Sequence, residues 1–352
     1  MSANSEKVAF VGDIGLLGRF QKPEDLPNKY FDAYFDLIKD CRYVIGNLEV
    51  PVCSSTKPHS PKSVSISAPI DSARILNFLK INVVSLANNH MYDFGGQGLN
   101  ETIGVLKQRD IQFFGLKADP LTLDIARTKL HLYGSCNLDS NPNINLFRPN
   151  PINITKVNEV RKIRPLEGLS AFCHHSGEEH VHYPSIADIR FCRDIISKPF
   201  DFYIGHHPHV IQGIEKVNGC NIFYSLGNFL FDNIYRDNLS PILMNEDNLK
   251  GLIVIAEIMD STVSKIDIYQ HYIGSDRLNC ERYNDNYSLE RADQSPDEYA
   301  KERSSVIAEK IGDKLGPRDR NWIMARLKPY YAKFLLLSMI RRLCYKYFYQ
   351  WR

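Results

Sequence analysis

No stretch of this chain approaches the ~20 consecutive apolar residues that a bilayer-spanning helix needs. An excess of one charge sign is missing too: 43 Lys and Arg against 41 Asp and Glu leave a formal net charge of +2, too little to argue for a nucleic-acid partner. The eight cysteines (Cys41, Cys53, Cys136, Cys173, Cys192, Cys220, Cys280 and Cys344) include no C-x-x-C pair, which removes support for a zinc knuckle or a thioredoxin-type motif. The opening MSANSEKVAFVGD lacks the charged-then-apolar pattern of a signal peptide. Internal repeats and low-complexity tracts are absent. A chain of 352 residues can bury a core without disulfides, so these absences favour a globular protein in a reducing, cytoplasmic setting.

What is present is an alternation of short apolar runs with amphipathic segments. Strands are predicted at Val8–Val11, Tyr43–Ile45, Asn82–Leu86, Ile111–Gly115, Leu130–Tyr133, Leu169–Cys173, Phe200–Ile204 and Ile222–Leu226. Helices are predicted at Tyr30–Cys41, Ser72–Lys80, Gly98–Arg109 and Ile186–Ser197, the first with Phe31, Tyr34, Phe35 and Ile38 on one face. Such alternation predicts an α/β fold, a sheet covered by helices on both faces. Gly251–Ile258 and Val263–Tyr269 read as closing antiparallel strands, and the Asn- and Pro-rich Leu138–Asn158 as a loop. After residue 275 the composition turns polar and charged, which divides the chain into 1–275 and a helical extension, 276–352, with a helix near Glu298–Lys314.

Five segments place polar, metal-capable side chains where a predicted strand ends. They are Gly12-Asp13, Gly46-Asn47-Leu48-Glu49, Asn88-Asn89-His90, His174 to Glu179, and Gly205-His206-His207-Pro208-His209. In open α/β sheets that edge gathers loops from distant strands and is where ligands bind. The donors are carboxylates from Asp13 and Glu49, an amide oxygen from Asn89, and imidazoles from His175, His207 and His209. A mixed N/O set suits Mn²⁺, Fe or Zn²⁺ better than an all-oxygen Ca²⁺ or Mg²⁺ site. On an extended His207-Pro208-His209 the two imidazoles leave the backbone on the same side, stiffened by the proline. Singly, Asp13 reads as a turn residue, Glu49 as a solvated loop acid, Asn88 and Asn89 as turn formers, and His174 or His175 as a hydrogen-bonded structural histidine. Three imidazoles in the four residues His206 to His209 rarely serve packing alone.

VAFVGDIGLLGRF, GNLEVPV, SLANNHMYDFGGQG, HSGEEH and IGHHPHVIQGIEKVNGCNIFYSLGNFLFD together resemble the poly-γ-glutamate synthesis protein CapA family, a branch of the calcineurin-like metallophosphatase superfamily. The resemblance covers roughly residues 7–270. It implies a metallophosphatase-like layered α/β sandwich with mixed sheets, and one or two divalent metal ions. By the same resemblance Asp13 is the first-strand ligand and Glu49 the bridging acid. Asn89, His175, His207 and His209 complete the metal set, and His90 gives a proton to the leaving group. Asp93, beside Tyr92, either orients His90 or caps the helix that follows. His206 matches no ligand position, and Tyr224, Ser225 and Asn228 read as turn or core residues in preference to substrate contacts. Three positions depart from the pattern: the D-x-H start is Asp13-Ile14-Gly15, Glu49 stands for the usual Asp, and Ser176 for a frequent Trp.

Two functions follow from the resemblance. One is a metal-dependent hydrolase, a phosphoesterase acting on a phosphorylated or polymeric substrate in capsular or extracellular polymer synthesis. The other is a non-catalytic component of a polymer assembly complex. The last 33 residues, from Arg320, hold eight Lys and Arg and no acid among large apolar and aromatic residues. They fit a helix packed on the enzyme core, or a basic aromatic helix lying on the inner membrane face.

Overall fold

The computed structural model describes residues 5–55, 58–59, 64–137, 165–196, 200–236, 239–284 and 289–314. The loop expected at Leu138–Asn158 and the basic C-terminal helix lie outside them. Sixteen described strands run in chain order. They are β1 Ser5–Ile14, β2 Cys41–Leu48, β3 Val83–Ser85, β4 Gln112–Phe114, β5 Leu121–Ile125, β6 Thr128–Cys136, β7 Leu169–His175 and β8 Phe202–His206. Then follow β9 Ile214–Val217, β10 Cys220–Phe223, β11 Asn228–Leu230, β12 Ile234–Arg236, β13 Leu239–Ile242, β14 Lys250–Met259, β15 Thr262–Ile273 and β16 Leu278–Arg282. Helices are α1 Asp32–Ile38, α2 Arg74–Phe78, α3 Gly95–Gln108, α4 Ile186–Ile195, α5 Glu290–Gln294 and α6 Pro296–Lys314.

Most strands form two mixed sheets. The first has the order β16-β15-β14-β1-β2-β3-β4, with β11 also paired to β1. Its β1 to β4 run parallel, whereas β14, β15 and β16 pair antiparallel. The second has the order β5-β6-β7-β8-β10-β9, with β6, β7, β8 and β10 parallel. Because side chains alternate across a strand, neighbouring residues enter different layers. Val8 and Phe10 of β1 join Ala171, Phe202 and Ile204 of the second sheet in a core between the sheets. Ala9 and Val11 face the other way, onto Tyr34, Ile38, Leu76 and Leu106 of the helices. Phe172 and Tyr203 turn to an outer cluster with Ile189, Cys192 and Ile195 of α4 and Tyr299 of α6. The order is helix, sheet, sheet, helix, the layered sandwich with mixed sheets that the resemblance implied. Residues between the sheets are apolar in near-continuous runs because both faces of each sheet are covered.

Several elements differ from expectation, three of them near the site or its supporting helices. The first helix ends at Ile38, and Cys41 already opens β2. The second begins as a 3-10 turn, Ile70–Ala73, before α2. The strand predicted to Leu226 stops at Phe223, since the chain crosses to the other sheet. Gly227 (φ +68°) takes the left-handed turn of that crossing. It lands against Gly12, where a Cβ would sit 2.1 Å from the Gly227 carbonyl oxygen. This close approach lets Asp13 N–H donate to Gly227 O at 2.9 Å and sets Asp13 opposite Asn228 in parallel register. The first sheet also continues past residue 275, with β16 as its edge.

Candidate metal centre

The parallel strands of both sheets deliver their C-terminal ends to one buried cluster. From the first sheet come Asp13 at the end of β1, Glu49 after β2, and Asn88 to His90 after β3; from the second come His175, ending β7, His206, ending β8, and His207 to His209 after it. All six expected ligands meet there, and each is 9% exposed or less. Donor atoms of Glu49, His175 and His207 lie within 4.8 Å of one another, as do those of Asp13, Glu49 and His209. Glu49 is common to both groups. Asn89 joins the first group: its Oδ1 is 2.9 Å from His175 Nε2, which is itself 3.4 Å from Glu49 Oε1.

The surrounding hydrogen bonds aim these donors. Asp13 Oδ1 accepts from Asn47 Nδ2 at 2.8 Å and from His206 Nδ1 at 3.0 Å. Oδ2 accepts one bond, from the His207 amide at 3.1 Å, so it keeps lone-pair capacity for a cation. His206, which matches no ligand position, is a hydrogen-bond partner of Asp13. Asn88 Oδ1 accepts from the amides of His90 and Met91 at 3.2 and 2.9 Å, which shapes the turn presenting Asn89 and His90. Its Nδ2 donates to Leu48 O at 2.7 Å, tying that turn to the one that carries Glu49.

His207-Pro208-His209 is not extended. His207 has φ +99° and His209 +57°, values that cost a non-glycine residue of order 1–3 kcal/mol where the fold imposes them. The turn still brings the two imidazoles to one place, with ring centroids 5.9 Å apart. The loop of Ser176 to His180 runs beside it, with Ser176 N–H donating to His206 O at 3.1 Å and His180 N–H to Pro208 O at 2.7 Å.

Electrostatics and satisfaction both fit a cation. Burial, then the neighbouring imidazoles, hold His175 well below its ordinary value, and burial and His209 push His207 down to about 3. Burial alone would raise Asp13, but its contacts with His206, His209 and Asn47 outweigh it and lower the carboxyl. Neutral imidazoles and ionised carboxylates are the protonation states a metal requires. His207 Nδ1 is buried and, among the described residues, has no hydrogen-bond partner. A buried polar atom without one costs ~1–3 kcal/mol, which a bound cation would offset.

His90 lies at the edge of the cluster with Nδ1 2.7 Å from Asp93 Oδ2, and Asp93 Oδ2 also accepts from the Ile66 amide at 2.9 Å. Asn228, read as a turn or core residue, proves to touch His209, and His206, which matches no ligand position, touches Asp13. Their place inside the Ile204–Asp232 motif was the signal for them.

The family profile described as "Bacterial capsule synthesis protein PGA_cap" matches residues 7–233. The chain is 28% identical over 246 residues to the PGA biosynthesis protein CapA of Bacillus subtilis, covering 64% of this chain and 63% of that one. It is 28% identical over 249 residues to the capsule biosynthesis protein CapA of Bacillus anthracis, covering 64% and 59%. A probable polyglutamine synthesis accessory protein of Mycobacterium tuberculosis is 26% identical over 209 residues, covering 53% and 54%. The match thus spans about three fifths of the length of the two Bacillus relatives. With most of its length matched by that profile, the chain belongs to the bacterial capsule synthesis protein PGA_cap family.

Proposed function

We propose that this chain is a metal-dependent hydrolase of phosphoester-type bonds, acting in synthesis or modification of a capsular polymer such as poly-γ-glutamate. The observation that carries it is the sharing of buried Glu49 between two donor groups, as a bridging acid between two cations requires. Asp13, Glu49 and His209 would hold one divalent ion; Glu49, Asn89, His175 and His207 would hold the other. Mn, Fe and Zn all suit these donors. When bound, such ions lower the pKa of a coordinated water and polarise the scissile group.

The chain's own residues supply the rest. His90, held through Nδ1 by Asp93, would protonate a leaving group from its other ring nitrogen. Burial of the cluster keeps bulk water away and strengthens each charge interaction within it. The capsule link rests on family membership and on the names of the relatives.

A second reading, a non-catalytic part of a polymer assembly complex, is favoured by the accessory role in the Mycobacterium tuberculosis relative's name and by Gly15 in the D-x-H position. Metal analysis of purified protein, followed by a broad phosphoester screen with and without Mn²⁺, separates the two. Bound metal with Mn²⁺-dependent turnover supports the hydrolase. Bound metal without turnover across the screen favours the second reading.

A further inference from the structure

We propose that Asn228 and Asn248 act as a positioning pair that fixes the proton of His209 on Nδ1, so that Nε2 is the atom offered to a cation. The inference rests on the metal reading above. Asn228 is fully buried and sits in β11 directly opposite Asp13. Its amide orientation is settled by its neighbours. Nδ2 donates to the backbone carbonyl of Asn248 at 2.9 Å, and a carbonyl can only accept. Oδ1 therefore faces His209 Nδ1 at 2.8 Å. An amide oxygen can only accept, so Nδ1 must carry the hydrogen.

The other neighbour of Nδ1 does not compete. Asp13 Oδ2 is 3.5 Å away, at the outer limit of a hydrogen bond, whereas the Asn228 contact is near the ideal length. A neutral ring protonated at Nδ1 has its lone pair on Nε2, which lies 3.5 Å from Glu49 Oε1. Metal-bound histidines are commonly held in this way, by an acceptor on the nitrogen that does not ligate.

Asn248 fixes the backbone of the same residue. Its Nδ2 donates to His209 O at 3.0 Å and reaches His180 Nδ1 at 2.9 Å. Its own flip is set by Asn245, whose amide donates to Asn248 Oδ1 at 3.3 Å. His209, at φ +57°, is thus gripped by ring and by carbonyl from two asparagines, neither of them an expected ligand.

Two measurements on the full-length protein test the pair. Long-range ¹⁵N–¹H correlation of metal-free protein above neutral pH should show the His209 signal, identified by its loss in His209→Ala, as the Nδ1–H tautomer; an Nε2–H pattern overturns the proposal. Mn²⁺ titration should show one binding step weakened ~10–100-fold in Asn228→Leu, with the other step unchanged. Asn228→Asp keeps an acceptor for Nδ1 but loses the donor to Asn248 O, so it should weaken the step less than Asn228→Leu does. Equal loss in both variants, or no loss in Asn228→Leu, also overturns it. Should Asn228→Leu not fold, Asn248→Ala removes only the side-chain donor and should weaken the same step; an unchanged step counts against the pair. Wild type that binds no Mn²⁺ would sink the metal reading, and the tautomer measurement would still decide the pair.

Discussion

His90 and Asp93 are joined by a buried contact of 2.7 Å between Nδ1 and Oδ2. Two roles were open for Asp93, orienting His90 or capping the next helix. α3 has Phe94 at its N-cap and no side-chain cap bond, whereas Asp93 Oδ2 serves His90 and the Ile66 amide. If His90 protonates a leaving group, His90→Gln keeps its metal and slows esters with poor leaving groups by ~10²–10⁴-fold, activated aryl esters far less. Asp93→Asn should follow the same pattern with a smaller loss. Equal losses on both ester types in steady-state assays would mean that His90 has a structural role.

The ligand histidines and their neighbour should separate by degree. His207→Ala and His209→Ala each remove a donor and should lower the metal content of purified protein, with secondary structure intact by circular dichroism. His206→Ala removes a hydrogen bond to Asp13 and leaves every ligand in place. It should retain metal at saturation but require ~10–100-fold more Mn²⁺ to load. Unchanged metal content in both His207→Ala and His209→Ala would remove the assignment.

The order of elements was legible because the central strands are apolar on both faces and the helices on one. Val8 to Val11 could hardly be anything but a covered strand. The candidate cluster was legible because His, Asp, Glu and Asn recur at strand ends, whose common edge is fixed by parallel pairing. What escaped was set by contacts distant in sequence. His206 finds Asp13 across 193 positions, and nothing local signals that. Asn228 in YSLGN has the composition of a turn, and its bond to His209 exists only because Gly227 crosses onto Gly12. The positive φ angles of His207 and His209 likewise follow from tertiary constraint, against the extended form that Pro208 suggests locally.

Two glycines should respond in opposite directions. Gly12→Ala would place a methyl 2.1 Å from the Gly227 carbonyl oxygen, backbone against backbone, so one strand must shift. Such overpacking costs ~1–3 kcal/mol or more, and here it also moves Asp13 away from its partners. Gly104, inside α3, has nothing within 4 Å of an added Cβ. Gly104→Ala should stabilise by ~0.5–1 kcal/mol through helix propensity alone. Urea unfolding of the two variants checks both signs, and a neutral Gly12→Ala would contradict the close approach.

His271 gives the fold a pH dependence separable from the metal centre. It sits in β15 opposite Gly251, 1% exposed, with its ring edge-on to Phe229 at 5.3 Å. Burial pushes its pKa down to about 4 from an ordinary 6.5, a backbone contact with Asn228 offsetting part of the effect. The folded chain therefore keeps this ring neutral, while the unfolded chain protonates it below about pH 6.5. Protons bind the unfolded state preferentially in that window, so the stability is complete above pH ~6.5 and is lost as the pH falls towards ~4. The difference amounts to about 3 kcal/mol at most. His174 and His207, each pushed down to about 3, steepen the wild-type curve in the same direction, so the comparison must be differential. With metal removed by chelator, urea unfolding of wild type and His271→Leu across this range should give curves that diverge on acidification. Wild type should lose up to about 3 kcal/mol more than the variant. Parallel curves would show that His271 does not titrate on unfolding.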